Sequence, residues 1–122
     1  MSAAFKKDIE AMYVFAAKCE GLAVLVPELC AVLRRNGDSL AEVTYAYRIR
    51  ATDTGYTYAF ALQAGAFAEL AVTDPVDVTV LGTEANLLAV FQRKLNPAAG
   101  LLLGKIKVEG SKSALLKLAS FL

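Results

Sequence analysis

The sequence predicts an α+β fold in which helices cover a five-stranded, mainly antiparallel sheet. Up to Gly37, apolar residues recur at three- and four-residue steps, which is typical of amphipathic helices. From Glu42 to Leu81 they alternate instead, which indicates half-buried strands. A helical pattern, a short alternating segment and a second helical pattern follow. Strands that are consecutive and joined by short turns favour antiparallel pairing, with the helices on top of the sheet.

Two helices are predicted at the start of the chain. The first covers residues 3–19, has a single apolar stripe, and is stopped by Gly21. The second covers residues 22–35, where Pro27 either kinks the helix or opens a new one at its first turn. It ends in two arginines, an asparagine and Gly37, because cations favour the negative end of a helix dipole and Gly tolerates a left-handed cap.

Four strands are predicted next, as a meander. The first two, residues 42–50 and 56–63, are joined by a Thr-Asp-Thr-Gly turn and form an antiparallel hairpin. The third and fourth cover residues 66–72 and 76–81. One face of the hairpin carries an aromatic stripe, formed by Tyr45, Tyr47, Tyr56, Tyr58 and Phe60.

Helix, strand and helix are predicted in the last third. Thr83 is a suitable N-cap for a helix that ends at an Asn-Pro pair. The small residues 97–100 either let a ligand approach the backbone closely or make a tight packing turn. Residues 105–109 alternate as a fifth strand, and Ser111 or Ser113 caps a final helix.

Composition suggests an apolar interior. The 122 residues fit one domain, spanning residues 1–122, and 57% of them are hydrophobic, against about 45–50% in typical soluble domains. No run reaches the roughly 18–20 apolar residues that span a bilayer, and the first ten residues do not resemble a signal peptide. The surplus of apolar residues therefore lies inside, either in a dry core or along an apolar cavity.

Charge and missing residue types exclude several classes of function. Thirteen basic and twelve acidic residues give a net charge of +1 with no clustered basic face, so no nucleic-acid partner is expected. The absence of histidine removes the usual general base and the commonest metal ligand. Cys19 and Cys30 form no CxxC pair and are predicted to be buried free thiols, which fits a reducing cytoplasm. The carboxylates Asp74, Asp77 and Glu84 show no convergence, so we expect no catalytic residue, metal or cofactor.

Four segments in fixed order carry a family resemblance. They are residues 74–91 (DPVDVTVLGTEANLLAVF), residues 94–110 (KLNPAAGLLLGKIKVEG), residues 111–122 (SKSALLKLASFL) and, more weakly, the strand pair in residues 42–63. Together they resemble the sterol carrier protein-2 lipid-binding domain. The stretch 22–37 departs from the animal pattern and resembles an extra or rearranged helix, as found among diverse bacterial members.

The resemblance implies a five-stranded sheet and helices around an apolar tunnel. In different members the tunnel takes sterols, fatty acids or fatty acyl-CoA, so the expected function is non-catalytic binding and transfer of such a lipid. The sequence ends in Ser-Phe-Leu and not in the Ser-Lys-Leu of peroxisomal relatives, which favours the cytoplasm. The residues expected to line the tunnel are Tyr45, Tyr47, Tyr58, Phe60, Phe91, Leu95, Leu101, Leu102, Leu115 and Leu118.

Several roles stay open at this point. Each lining residue could instead make a dry core contact, and the tyrosine hydroxyls either meet a ligand head group or sit in water at the sheet edge. Lys105 and Lys107 favour solvated surface over a cationic spot for a carboxylate or phosphate. Residues 111–122 are the natural lid. The expected partner is a lipid, with transient membrane contact and a homodimer both compatible. The alternative function is an accessory module that docks on a partner enzyme or self-associates.

Overall fold

The computed structural model describes residues 2–122. Five helices are observed, namely α1 (Ala3–Ala16), α2 (Leu22–Arg35), α3 (Glu84–Phe91), α4 (Pro97–Leu102) and α5 (Lys112–Ala119). The five strands are β1 (Tyr45–Ala51), β2 (Thr57–Gln63), β3 (Ala66–Leu70), β4 (Val78–Gly82) and β5 (Ile106–Gly110). A short 3-10 helix, Gly37–Leu40, which the sequence analysis did not predict, precedes β1. The predicted α+β class is confirmed.

The strands form one mixed sheet in the order β3-β2-β1-β4-β5. Three of the four neighbouring pairs are antiparallel, as predicted, but β4 runs parallel to β1. The prediction of a four-strand meander is therefore wrong. The chain passes through β2 and β3 and then crosses back to the far side of β1, which is the long connection that a parallel pair requires.

Polar side chains hold this crossover in place. The Arg48 guanidinium donates hydrogen bonds to the carbonyl oxygens of Val72, at 2.9 Å, and Asp74. The Asp77 carboxylate accepts the backbone N–H of Ala46 at 2.6 Å. The Arg48 bonds satisfy two carbonyl groups of the connecting segment, and the Asp77 bond ties the end of that segment to β1.

The two N-terminal helices supply much of the core. The buried stripe of α1 consists of Phe5, Ile9, Met12 and Ala16. The buried residues of α2 are Leu22, Leu25, Val26, Leu29, Cys30, Val32 and Leu33. Pro27 lies inside α2, so it does not begin a new helix. α1 ends at Ala16, short of the predicted Cys19, because the N–H of Cys19 bonds three residues back to Ala16 in a tightened last turn.

The C-terminal elements begin at the predicted caps. The Thr83 hydroxyl accepts the N–H of Asn86 at 3.2 Å and starts α3, and Ser111, not Ser113, accepts the N–H of Ala114 at 3.1 Å and starts α5. Gly100 of α4 is buried, and a Cβ there would lie 3.1 Å from the side chain of Ile106. Residues 97–100 therefore begin α4, and the backbone at Gly100 packs closely against Ile106. None of the helices described here is long and apolar enough to cross a membrane.

Candidate ligand-binding site

An apolar cavity of about 360 Å³ lies between the sheet and the C-terminal helices. One wall is the sheet, to which β1 contributes three residues, Arg48 among them, and β2, β4 and β5 contribute one each. The opposite wall consists of α3, residues 93–97 and α5, and Tyr13 of α1, Leu29 of α2 and Leu122 complete the lining. The volume is in the lower part of the roughly 300–1,000 Å³ that ligand pockets occupy, and apolar side chains with a few polar groups are the usual lining.

Six of the ten residues predicted from the sequence line this cavity, namely Tyr47, Phe60, Phe91, Leu95, Leu115 and Leu118. The other four, Tyr45, Tyr58, Leu101 and Leu102, are not part of its wall. Tyr58 lies under α2 instead, and the side chain of Leu102 is 87% exposed. Strand alternation identifies a face of the sheet, but not which part of that face each helix covers. α4 turns Gly100 toward the sheet and leaves Leu102 in solvent.

Other lining residues were missed. Ile49 and Val80 share the apolar strand faces of predicted residues, so the same alternation could have identified them. Tyr13 and Arg93 also line the cavity. Tyr13 lies four residues after Ile9, at the edge of the apolar stripe of α1, whereas no periodic signal marks Arg93. Arg93 has a φ of 57° after the last turn of α3, a conformation that is uncommon outside glycine and that the sequence did not reveal.

A stack of aromatic rings crosses the sheet beside the cavity. The ring of Phe60 lies between those of Tyr47, at 5.3 Å, and Phe67, at 5.5 Å, with both pairs stacked. The Tyr47 hydroxyl donates to the carbonyl oxygen of Ala114 in α5 at 2.7 Å, and burial raises the pKa of this phenol well above its ordinary value. Tyr47 therefore acts as a neutral donor that ties α5 to the sheet, and its hydroxyl proton is not free for a ligand head group.

Polar groups collect at one end of the cavity. The Tyr13 hydroxyl donates to the carbonyl oxygen of Leu122 at 2.8 Å. The guanidinium carbon of Arg93 lies 3.7 Å from the centre of the Tyr13 ring, a cation–π arrangement. Asn96, whose Oδ1 caps α4, lines the same cavity. The cavity thus has a mainly apolar lining with two arginines, of which Arg48 is hydrogen-bonded to the crossover segment and Arg93 lies at this polar end.

A second cavity, of about 420 Å³, lies between α2 and the outer strands. Its lining mixes apolar residues with Arg34, Arg35 and Glu69, so it is less suited to an apolar chain. Burial raises the pKa of the Cys30 thiol at this place, which disfavours the reactive thiolate form. Both cysteines are free and buried, as predicted, and residues 2–122 contain no group of three or more side chains that could hold a metal.

The fold is similar to solved structures of sterol carrier protein-2 type. The palmitated SCP2L2 domain from Aedes aegypti is 19% identical, with a TM-score of 0.63 over 82% of this chain and 92% of that chain. The sterol carrier protein domain 2 of Helicoverpa armigera is 21% identical, with a TM-score of 0.51 over 76% of this chain and 81% of that chain. The predicted resemblance is confirmed at the level of the fold, which defines a sterol carrier protein-2-like domain.

The family itself is more specific than that fold class. Residues 29–122 match the alkyl sulfatase C-terminal family model, and the chain belongs to this family. The stereoselective inverting sec-alkylsulfatase Pisa1 from Pseudomonas sp. is 24% identical, with a TM-score of 0.64 over 80% of this chain. The chain spans only 15% of the length of that sulfatase. Comparison with curated protein sequences gave no significant match.

Proposed function

We propose that this chain binds a lipid-like ligand in the apolar cavity and performs no chemistry on it. The observation that supports this most directly is the apolar cavity between the sheet and α3 and α5, in a fold of the sterol carrier type. Each methylene group buried there contributes about 0.8 kcal/mol, so a hydrocarbon chain needs few specific contacts. The ligand classes are fatty acids, fatty acyl-CoA, sterols and other isoprenoid lipids, and the palmitated mosquito domain favours an acyl chain.

Native mass spectrometry of the freshly purified chain, followed by solvent extraction, tests the proposal. A stoichiometric fatty acid, acyl-CoA, quinone or sterol is the expected result. An apo mass, together with no binding from a panel of these lipids, would contradict it, because a preformed apolar cavity should take up at least one of them.

A second candidate function is an accessory module of an alkyl sulfatase. Membership of the C-terminal family favours it, since the related domain is a small part of a much longer enzyme. The exposed side chains of Leu102 (87%) and Leu103 (66%) offer an apolar contact for such a partner, or for a second copy. Concentration-dependent size on gel filtration without retained lipid would favour this candidate over the carrier.

In the carrier, α5 is the element that has to open for release. It supplies Leu115 and Leu118 to the cavity wall. α5 is held by the Tyr47–Ala114 hydrogen bond and by an ion pair between Lys117 and Glu42 at 3.1 Å. The segment after α5 is held by the Tyr13–Leu122 hydrogen bond. The exposed ion pair contributes little, so the buried hydrogen bonds are the stronger attachments.

Tyr47→Phe is therefore expected to speed ligand release. It removes the hydroxyl that reaches Ala114 and keeps the stacked ring, at a cost of about 1 kcal/mol, which corresponds to a roughly fivefold higher off-rate. Stopped-flow displacement of a fluorescent fatty acid measures the off-rate. Tyr45→Phe is the matched control. Tyr45 lies in the same strand, but its hydroxyl group makes no hydrogen bond within residues 2–122. Equal off-rates for both variants would show that α5 is not the lid.

A further inference from the structure

Arg93 is a cation at the rim of the cavity that is not neutralised by a carboxylate. Its guanidinium group covers the Tyr13 ring at 3.7 Å, and the residue lines the cavity. Neither of the two ion pairs found within residues 2–122 includes it, and its N–H groups donate no hydrogen bond to the described chain. The N–H groups of the Arg93 guanidinium are therefore free to donate hydrogen bonds next to an apolar interior.

The local backbone places only one of two adjacent cations at this rim. Arg93 and Lys94 follow each other directly after α3, but only Arg93 lines the cavity. Its φ of 57° costs roughly 1 kcal/mol for a residue with a Cβ. Backbone bonds on both sides hold this conformation, from the N–H of Arg93 to Val90 at 3.2 Å and from the N–H of Lys94 to Ala89 at 2.9 Å.

Of the neighbouring polar groups, the Tyr13 hydroxyl and the Asn96 Oδ1 are already hydrogen-bonded, and the uncharged Asn96 Nδ2 is the other donor without a partner within residues 2–122. The Tyr13 hydroxyl donates its proton to Leu122, and the Asn96 Oδ1 accepts from the backbone of α4. Arg93 is thus the one charged donor at this end of the cavity wall with its fork unused. A planar guanidinium group matches an oxyanion with two parallel hydrogen bonds, which a point charge such as lysine does not.

We propose that the ligand is an amphiphile with a single anionic head group, a carboxylate or a sulfate, which Arg93 binds while the hydrocarbon chain occupies the cavity. The inference rests on the proposed lipid-binding function and adds the head group to it. The apolar wall binds the chain whatever the head group is. Arg93 sets the preference for an anion, because the guanidinium group is already stacked on Tyr13 and loses little freedom on binding.

Four decyl compounds test this: decanoate, decyl sulfate, decanol and decyltrimethylammonium, titrated below micelle formation at neutral pH and low salt. The wild-type chain is expected to bind the two anions roughly tenfold more tightly than decanol, and the cation most weakly. The ratio between decanoate and decyl sulfate shows which head group fits better. Raising the salt concentration should reduce the preference, since the rim is exposed to solvent.

Two substitutions of Arg93, with one control at Lys94, separate the loss of the Arg93 charge from a loss of folding. Arg93→Gln and Arg93→Gly should both lose the preference for anions and bind decanol as the wild type does, and glycine also relieves the left-handed backbone. Lys94→Gln, the adjacent cation that does not line the cavity, should keep the preference. Retained preference in both Arg93 variants, or equal binding of all four probes by the wild type, would overturn the head-group inference and leave the lipid-binding function standing. Failure of every probe to bind would overturn both the head-group inference and the proposed lipid-binding function.

Discussion

Gly65→Ala is expected to lower the free energy of unfolding by at least about 3 kcal/mol. Gly65 lies in the turn between β2 and β3 with a φ of 85°, where any side chain adds strain. An added Cβ would also lie 2.0 Å from the carbonyl oxygen of Gly37 and 2.9 Å from the carbonyl carbon of Leu40. Both are backbone atoms, so relief requires that the 3-10 segment move away from the sheet. Urea unfolding measures the loss.

Gly55→Ala is the matched control for this effect. Gly55 has a nearly equal φ of 79°, but a Cβ there meets nothing within 4 Å. The control should therefore cost only the conformational strain, about 1 kcal/mol. Similar losses for the two variants would mean that the backbone around Gly37 accommodates a Cβ at position 65 without an added cost.

Val80→Phe is expected to weaken binding of a decyl chain roughly fiftyfold without unfolding the protein. Val80 lies in the middle of β4, paired with Ile49 and Val108, and it lines the cavity. The larger ring would take the space of roughly three methylene groups, each worth about 0.8 kcal/mol. Because the added atoms enter existing space and not a packed core, the penalty of overpacking is small. Calorimetric titration with decanoate or decanol measures the affinity.

Val72→Phe provides the comparison. Val72 is 47% exposed in the crossover between β3 and β4 and does not line the cavity, so the same substitution there should leave the affinity unchanged. If Val80→Phe binds as tightly as Val72→Phe, the ligand does not occupy this cavity. Heat denaturation of both variants separates lost binding from lost folding.

Local signals were enough to predict the elements. The period of the apolar residues placed α2 and β2 within a residue or two of their observed bounds, and the hydroxyl groups of Thr83 and Ser111 cap the helices they were expected to cap. These features depend on neighbours within a few residues, which the sequence displays directly. The larger differences lie at the ends of elements: α1 ends at Ala16, α3 ends at Phe91 before the Asn-Pro pair, and β1 begins at Tyr45, three residues after its predicted start. The bounds of β3 and β4 differ from the predicted ones by one or two residues, and the short 3-10 helix was not predicted.

The site was less predictable, because it combines residues from distant parts of the chain. Phe91 and Leu118 could be chosen from their apolar stripes, whereas Tyr58 had the same pattern and lies under a different helix. Arg93 offered no signal at all. Its position at the rim follows from a left-handed residue after α3 and from the ring of Tyr13, which is 80 residues away (93 − 13).

By itself, the sequence determined the α+β class, the helices and strands, the apolar interior and the resemblance to sterol carrier proteins. The elements follow from periodicity and caps, which act over short distances along the chain, and the apolar interior follows from composition. The tertiary structure alone decided that β4 crosses over to pair with β1, that α3 and α5 enclose the cavity, and that Arg93 and not Lys94 stands at its rim. Each of these depends on which surfaces pack against each other, and packing is settled only when all the elements are assembled.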